Sequence, residues 1–253
     1  MTRLLQAVPP GLPLAVFLDY DGTLVAIRRR PDLARLGPDR RAELGRLGRT
    51  AFVGIVSGRP LAEVRRMVGL RGLAYLGNHG MEIRAKGRTW VQPDAARKAR
   101  SVGRAARAVA VRTRGIPGVL VEDKGLTASV HYRTVAARHH ARLRAIVADE
   151  VRRSRGGLVL TQGKKVFEIR PNVPWDKGRG VLALLRRERG LRSSFPVYIG
   201  DDRTDEDAFR ALRGRGLTVR VGSGGLTLAR YRLRGVGDVW KFLAALRVRA
   251  ASR

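Results

Sequence analysis

Hydrophobic positions come in two kinds of pattern along this chain. Residues 14–18 (LAVFL) are an unbroken β-rich apolar run, as expected of a strand buried on both faces; residues 51–56, 73–76 and 196–199 read as further apolar strands, and 217–221 as the last strand of the core. Helical patterns fall between them. One spans 38–47, with Gly37 and Pro38 at its start and Gly48 near its end. A second opens at Pro60, a third follows the N-cap candidate Asp176 and runs to about Arg189, and others cover 204–212 and 236–249. Strands alternating with helices predict an α/β fold on a parallel sheet.

From about residue 82 to 170 the pattern changes. Helices near 94–112 and 135–153 accompany strands near 119–121, 126–132, 159–161 and 166–169, which alternate apolar with polar. Such strands belong to a sheet with one face in solvent or on a cleft, so this stretch is expected to form a separate α+β module. Period two places Thr127, Ser129, His131 and Arg133 on one face and Ala128, Val130 and Tyr132 on the other; Glu122 shares a face with Lys124, and Lys164 with Glu168 and Arg170. By composition alone, these polar faces read as the wet side of a small sheet.

Composition narrows the function classes. At 253 residues and 44% apolar content a full core is available, and the absence of cysteine excludes disulfides, thiolate metal sites and a cysteine nucleophile. Pro9, Pro10, Gly11 and Pro13 interrupt the first apolar stretch, and no run approaches the roughly 18 residues that span a bilayer, so a soluble cytoplasmic protein without membrane contact is expected. The formal charge is +31, but of the 52 basic residues only seven are lysine, and the 45 arginines are dispersed over helices and loops. That dispersion favours solvated arginine-rich faces over a nucleic-acid role, while the positive field would still draw in a phosphorylated substrate.

Candidate chemistry sits where the strands end. Asp19, Asp21, Gly22 and Thr23 follow the first strand; Asp-Gly is also a common turn dipeptide, and this stretch alone does not decide between the two readings. Residues 196–199 run into Gly200, Asp201, Asp202, Arg203, Thr204 and Asp205, and residues 51–56 empty into Ser57-Gly58-Arg59-Pro60. Ligands bind outside the carboxyl ends of parallel strands, and two acidic strand ends side by side repel unless a hard cation holds them, which predicts a Mg²⁺ site. Lys177 in the first turn of a helix opposes the helix dipole, a sign of another purpose.

In order along the chain, Asp19-Tyr20-Asp21-Gly22-Thr23, Ser57-Gly58-Arg59, Lys177 and Gly200-Asp201-Asp202-Arg203-Thr204-Asp205 resemble the signatures of the haloacid dehalogenase superfamily of phosphatases. Within it, Gly77-Asn78-His79-Gly80-Met81-Glu82, Glu122-Asp123-Lys124, His131-Tyr132-Arg133, Glu168-Ile169-Arg170-Pro171 and Asp176-Lys177-Gly178 resemble the trehalose-6-phosphate phosphatase family. The likeness runs from about residue 14 to 243. It implies a Rossmann-like hydrolase core (1–82 and 171–253) with an inserted α+β cap (83–170). The pattern change puts hinges near 82–86 and 170–174.

The implied activity is Mg²⁺-dependent hydrolysis of trehalose 6-phosphate through an aspartyl-phosphate. Asp19 would be the nucleophile and Asp21 the general acid and base. Mg²⁺ would be held by Asp19, the Asp21 carbonyl and Asp201, with Asp202 or Asp205. Lys177 would neutralise the phosphoryl group, and Ser57 with the amides of Gly22 and Gly58 would bind its oxygens. Thr23, Arg59, Asn78 and His79 complete the substrate site in the core, although His79 reads equally as a turn residue. Glu122, Lys124, His131, Arg133, Lys164 and Glu168 would bind sugar hydroxyls. A monomer acting on a small sugar phosphate is expected. Two alternatives stand beside it: a phosphatase of sucrose phosphate or mannosyl phosphoglycerate, and a polyanion-binding protein on an inactive core, which would have no need of Asp19, Asp21, Lys177 and Asp201 together.

Overall fold

The computed structural model describes residues 2–27, 33–163 and 165–251. In chain order the elements are α1 (Thr2–Gln6), β1 (Leu14–Asp19), α2 (Pro38–Thr50), β2 (Phe52–Val56), α3 (Leu61–Val68), β3 (Ala74–Gly77), β4 (Glu82–Ala85), β5 (Arg88–Val91), α4 (Pro93–Arg112), β6 (Leu120–Asp123), β7 (Ala128–His131), α5 (His140–Arg153), β8 (Leu158–Gly163), β9 (Val166–Pro171), α6 (Lys177–Arg187), β10 (Phe195–Gly200), α7 (Glu206–Ala211), β11 (Leu217–Val221), β12 (Tyr231–Leu233) and α8 (Val236–Ala251). They form two compact units, Met1–Trp90 with Trp175–Arg253, and Val91–Pro174.

The first unit is built on a sheet of order β12-β11-β10-β1-β2-β3-β4-β5, parallel from β12 to β3 and antiparallel from β3 to β4. Every residue of β1 is buried, because both faces of the sheet are covered. Leu14, Val16 and Leu18 pack with Leu44 and Leu47 of α2, Val64 of α3 and Phe242 and Leu246 of α8. The alternate residues, Ala15 and Phe17, pack with Val181 and Leu184 of α6 and Phe209 of α7. Burying such a side chain contributes about 1.5–3 kcal/mol relative to leaving it exposed, which is why the run admits no polar residue before the strand ends. Gly178 lets α6 meet α7 closely, since a Cβ there would collide with the Asp207 carbonyl.

The sheet is wider than the sequence suggests. Residues 82–85 form β4, paired in register with β3 (Gly77↔Glu82, Leu76↔Ile83, Tyr75↔Arg84), so the expected hinge at 82–86 is instead sheet. The division between units accordingly falls at 90/91 and 174/175, not at 82/83 and 170/171. The short β12 was also missed; its apolar pattern is broken by Arg232. Helix α2 runs past Leu47 to Thr50 because Gly48 lies inside it, at a point where a Cβ would press on Leu73. The expected helix at 135–153 is a 3-10 turn, Ala137–His139, followed by α5, and that at 204–212 is a 3-10 turn, Arg203–Asp205, followed by α7.

The second unit is an antiparallel sheet of order β6-β7-β9-β8 with α4 and α5 on one face. Ala128, Val130, Phe167 and Ile169 point into the core they share with Val102 and Val109 of α4 and Leu143 and Val147 of α5. No helix among the described residues is long and apolar enough to cross a membrane.

Candidate active site

β1 and β10 are adjacent and parallel, with Leu18 beside Ile199, so Asp19 and Asp201 emerge together at their carboxyl ends. The next residues make room for this approach. Gly22 has φ +91°, and a Cβ there would overlap the Asp201 carboxylate; Gly22 N–H donates to the Val25 carbonyl at 2.7 Å, and Thr23 Oγ1 donates to Asp201 Oδ1 at 3.2 Å. A Cβ on Gly200 would likewise run into Asp205.

Lys177 binds the cluster from α6. Asp176 caps that helix, accepting from Arg179 N–H at 2.8 Å, and Lys177 Nζ donates to Asp19 Oδ1 at 2.6 Å and Asp205 Oδ1 at 2.8 Å. Asp205 also accepts from the Tyr198 hydroxyl at 2.7 Å and from Asp202 N–H at 2.8 Å. Asp19, Asp201 and Asp205 each offer an oxygen within 4.8 Å of the others, so this group could hold a metal ion.

Charge does not balance here. One ammonium faces three carboxylates, and burial, joined by repulsion from Asp205, raises the Asp201 pKa to about 6. Burial also raises Asp19 well above the ordinary carboxylate range, against the pull of Lys177. Burial acts to discharge Lys177, but Asp19 and Asp205 outweigh it and hold its pKa above the ordinary lysine value. The hard oxygen donors and the excess negative charge fit a divalent cation.

The other expected core residues surround this cluster in more structural postures. Asp21 Oδ2 and Oδ1 accept from Arg59 Nε at 2.6 Å and Nη2 at 2.8 Å, and Arg59 also pairs with Glu63. Ser57 is buried, with its Oγ accepting from Arg59 N–H at 3.1 Å. Asn78 and His79 have φ of 47° and 57° and turn the chain from β3 into β4. Asn78 Nδ2 donates to Glu82 Oε2 at 2.7 Å, and the same oxygen accepts from Leu61 N–H at 3.0 Å, which ties the reversal to the start of α3. His79 is buried against Gly58, where a Cβ would come within 2.8 Å of its ring. Asp202 lies outside the three-carboxylate group, its side chain accepting from Arg203 N–H at 2.7 Å.

In the second unit, strand register assembles a polar row. Glu122 on β6 lies opposite Ser129 on β7, which lies opposite Glu168 on β9, which lies opposite Thr161 on β8. His131 Nε2 is 3.1 Å from Glu122 Oε2, and Lys124 Nζ is 4.0 Å from both Glu122 and Glu168. Four of the expected sugar-binding residues therefore form one patch on the face away from α4 and α5. Arg133 lies just past the end of β7, and Lys164 is outside the described residues.

A family profile described as trehalose-phosphatase matches residues 17–230. The chain belongs to the trehalose-phosphatase family. A trehalose-phosphate phosphatase of Mycobacterium marinum is 40% identical over 225 residues, covering 86% of this chain and 57% of that protein. A probable trehalose-phosphate phosphatase of Oryza sativa subsp. japonica is 38% identical over 250 residues, covering 93% of this chain and 66% of that protein. The chain thus spans little more than half the length of the mycobacterial relative. Among solved structures, a trehalose-6-phosphate phosphatase related protein superposes with a TM-score of 0.84 at 25% identity, over 94% of this chain and 99% of that one.

Against the family pattern, Tyr198 is the site residue that sequence reasoning missed. Burial and the Asp205 charge push its phenol well above the ordinary range, so it stays a donor to Asp205. The available signal was a single phenol in an otherwise apolar strand that ends in an acidic cluster. Glu82, which joins Asn78 to the α3 start, was visible only as part of a motif.

Proposed function

We propose that this chain is a Mg²⁺-dependent phosphatase that hydrolyses trehalose 6-phosphate to trehalose and phosphate, working in the cytoplasm as a monomer. The observation that carries the reading is Lys177, buried between Asp19 and Asp205 beside Asp201 at the carboxyl ends of the central strands. A phosphate monoester is nearly a dianion, so an attacking carboxylate succeeds only where positive charge and positioning offset the repulsion. Asp19 attacks phosphorus and the bond to the sugar oxygen breaks, leaving an aspartyl-phosphate. Asp21 gives the departing oxygen its proton, then takes one from the water that attacks phosphorus and frees Asp19. Arg59, gripping both Asp21 oxygens, sets the orientation of that carboxylate. Lys177 offsets charge on the phosphoryl group, and Ser57 with the Gly58 amide binds its oxygens; the Gly22 amide, expected to join them, is taken by the Val25 carbonyl. Asp19, Asp201 and Asp205, with the Asp21 carbonyl, would hold Mg²⁺, which supplies charge neutralisation at the phosphoryl oxygens. Asp202 holds its turn and is left out of this set.

The second unit is the module that reads the sugar. A disaccharide offers many hydroxyls, and Glu122, Lys124, His131 and Glu168 offer matching donors and acceptors in one patch; the family resemblance alone adds Arg133 and Lys164 to this reading. The test is phosphate release from trehalose 6-phosphate, sucrose 6-phosphate, glucose 6-phosphate and an aryl phosphate, with Mg²⁺ and with chelator. A site built to pair hydroxyls should favour trehalose 6-phosphate over glucose 6-phosphate on the order of 100-fold or more in kcat/KM. Equal turnover of all four would keep the chemistry and remove the substrate assignment.

Metal affinity should depend on pH. Asp201 must be ionised to bind a cation, and its pKa is about 6, so protons compete below that pH. Calorimetric Mg²⁺ titrations should show affinity level near pH 7.5 and falling by about tenfold per pH unit below 6. Affinity unchanged at pH 5 would place the metal elsewhere.

A further inference from the structure

The proposed chemistry uses the carboxyl ends of β1 and β10 and leaves their opposite ends without a role. Where β10, β11 and β12 begin, a cavity of about 430 Å³ is lined by Arg213, Arg215, Arg230, Thr218, Phe195 and Leu228, among others. We propose that this cavity binds a nucleoside di- or triphosphate, with the arginines on its phosphates and Phe195 and Leu228 against its ring.

The volume falls within the roughly 300–1,000 Å³ typical of small-molecule sites. The charge is one-sided: among the described residues no carboxylate lines the cavity and none of its three arginines has an ion pair. Elsewhere some surface arginines are neutralised locally, as in Arg46–Glu43, Arg97–Asp94, Arg179–Asp176 and Arg210–Asp207. Three guanidinium groups without a counter-charge around one cavity suit planar, multidentate recognition of phosphate oxygens.

The walls are also held in place before any ligand arrives. Arg230 N–H donates to Thr218 Oγ1 at 3.0 Å, and its guanidinium lies 5.6 Å from the centre of the Tyr231 ring. Just upstream, Thr227 Oγ1 and Leu228 N–H both donate to Glu206, at 2.8 and 2.7 Å. On the other wall, Arg215 N–H and Gly216 N–H share the Leu212 carbonyl, closing a turn from which Arg213 and Arg215 extend. The turn sits close to β10 because Gly216 has no Cβ to strike the Pro196 carbonyl. These bonds fix the backbone of both walls, which lowers the ordering cost of binding. The six residues of β10 separate this cavity from Asp201 by roughly 20 Å, at about 3.3 Å per residue, so the two sites are distinct.

The test is calorimetric titration of the metal-free protein with ADP, pyrophosphate and adenosine. Expected is one ADP site, tighter than pyrophosphate, with adenosine weakest. The double variant Arg213→Ala/Arg230→Ala should weaken ADP binding by about tenfold or more, with trehalose-6-phosphate turnover unchanged in the absence of ADP. Ser57→Ala and the exposed α4 control Arg100→Ala/Arg104→Ala should leave ADP binding intact. Loss of binding in Ser57→Ala would assign the ligand to the catalytic site, an equal loss in the α4 control would reduce it to diffuse charge, and no binding up to about 1 mM would leave no site; each of these overturns the proposal.

Discussion

Asp19→Asn should stop phosphate release almost completely and, in the metal-free protein, raise stability. The kinetic half follows from removing the proposed nucleophile, since an amide oxygen cannot form the acyl-phosphate; a drop of about 10⁴-fold or more is expected. The sign of the stability change comes from the raised pKa of Asp19. A raised carboxyl pKa means the fold prefers the neutral form, so the ionised group costs stability once the pH rises through its folded value. Asn is a permanently neutral isostere and removes that cost, together with the repulsion from Asp201 and Asp205. Thermal unfolding in chelator at pH 7.5 should therefore give a higher Tm for the variant. At pH 4, where the wild-type carboxyl carries its own proton, the difference should vanish. A variant that is inactive and also less stable at pH 7.5 would mean that the bond from Lys177 outweighs burial and repulsion, contrary to this reading.

How much of this site could be read from the sequence depended on where each residue's constraint comes from. β1 was legible because burial on both faces leaves a solid apolar run, and Asp19 was legible as its abrupt end. Lys177 could be suspected because a cation in a helix's first turn is locally unfavourable. By contrast, β4 carries the alternating burial of an edge region and follows a left-handed reversal over Asn78, His79 and Gly80, and nothing local says that it joins the core sheet. The row of Glu122, Ser129, Glu168 and Thr161 exists only through the registers of three strand pairs, which period-two patterning of single strands cannot supply. Asp202 and Asp205 illustrate the same limit. Both are acidic and lie three residues apart, but the capping geometry of the intervening turn sends Asp205 inward to Lys177 and Tyr198 and keeps Asp202 on its own backbone.

Lys177→Met should have the opposite effect on stability and a similarly severe effect on turnover. Methionine fills much of the same volume without charge, so Asp19, Asp201 and Asp205 would be left with no buried cation among them. Breaking a buried pair by removing one partner typically costs about 3–5 kcal/mol, because the remaining charge is left uncompensated. Loss of the positive charge at the phosphoryl group should lower kcat by about 10³-fold or more. The two losses should separate under conditions that change only electrostatics. The Asp19 and Asp201 pKa values, already raised, would rise further without Lys177, so the stability deficit should be fully present at pH 7.5 and shrink as the pH falls toward 4 and these carboxylates take up protons. Saturating Mg²⁺ should also restore part of the Tm, since it replaces the missing counter-charge. Neither treatment should restore turnover, because neither returns an ammonium group to the position between Asp19 and Asp205. Recovery of stability and turnover together in Mg²⁺ would reduce Lys177 to a structural counter-ion and leave the charge on the phosphoryl group to the metal alone.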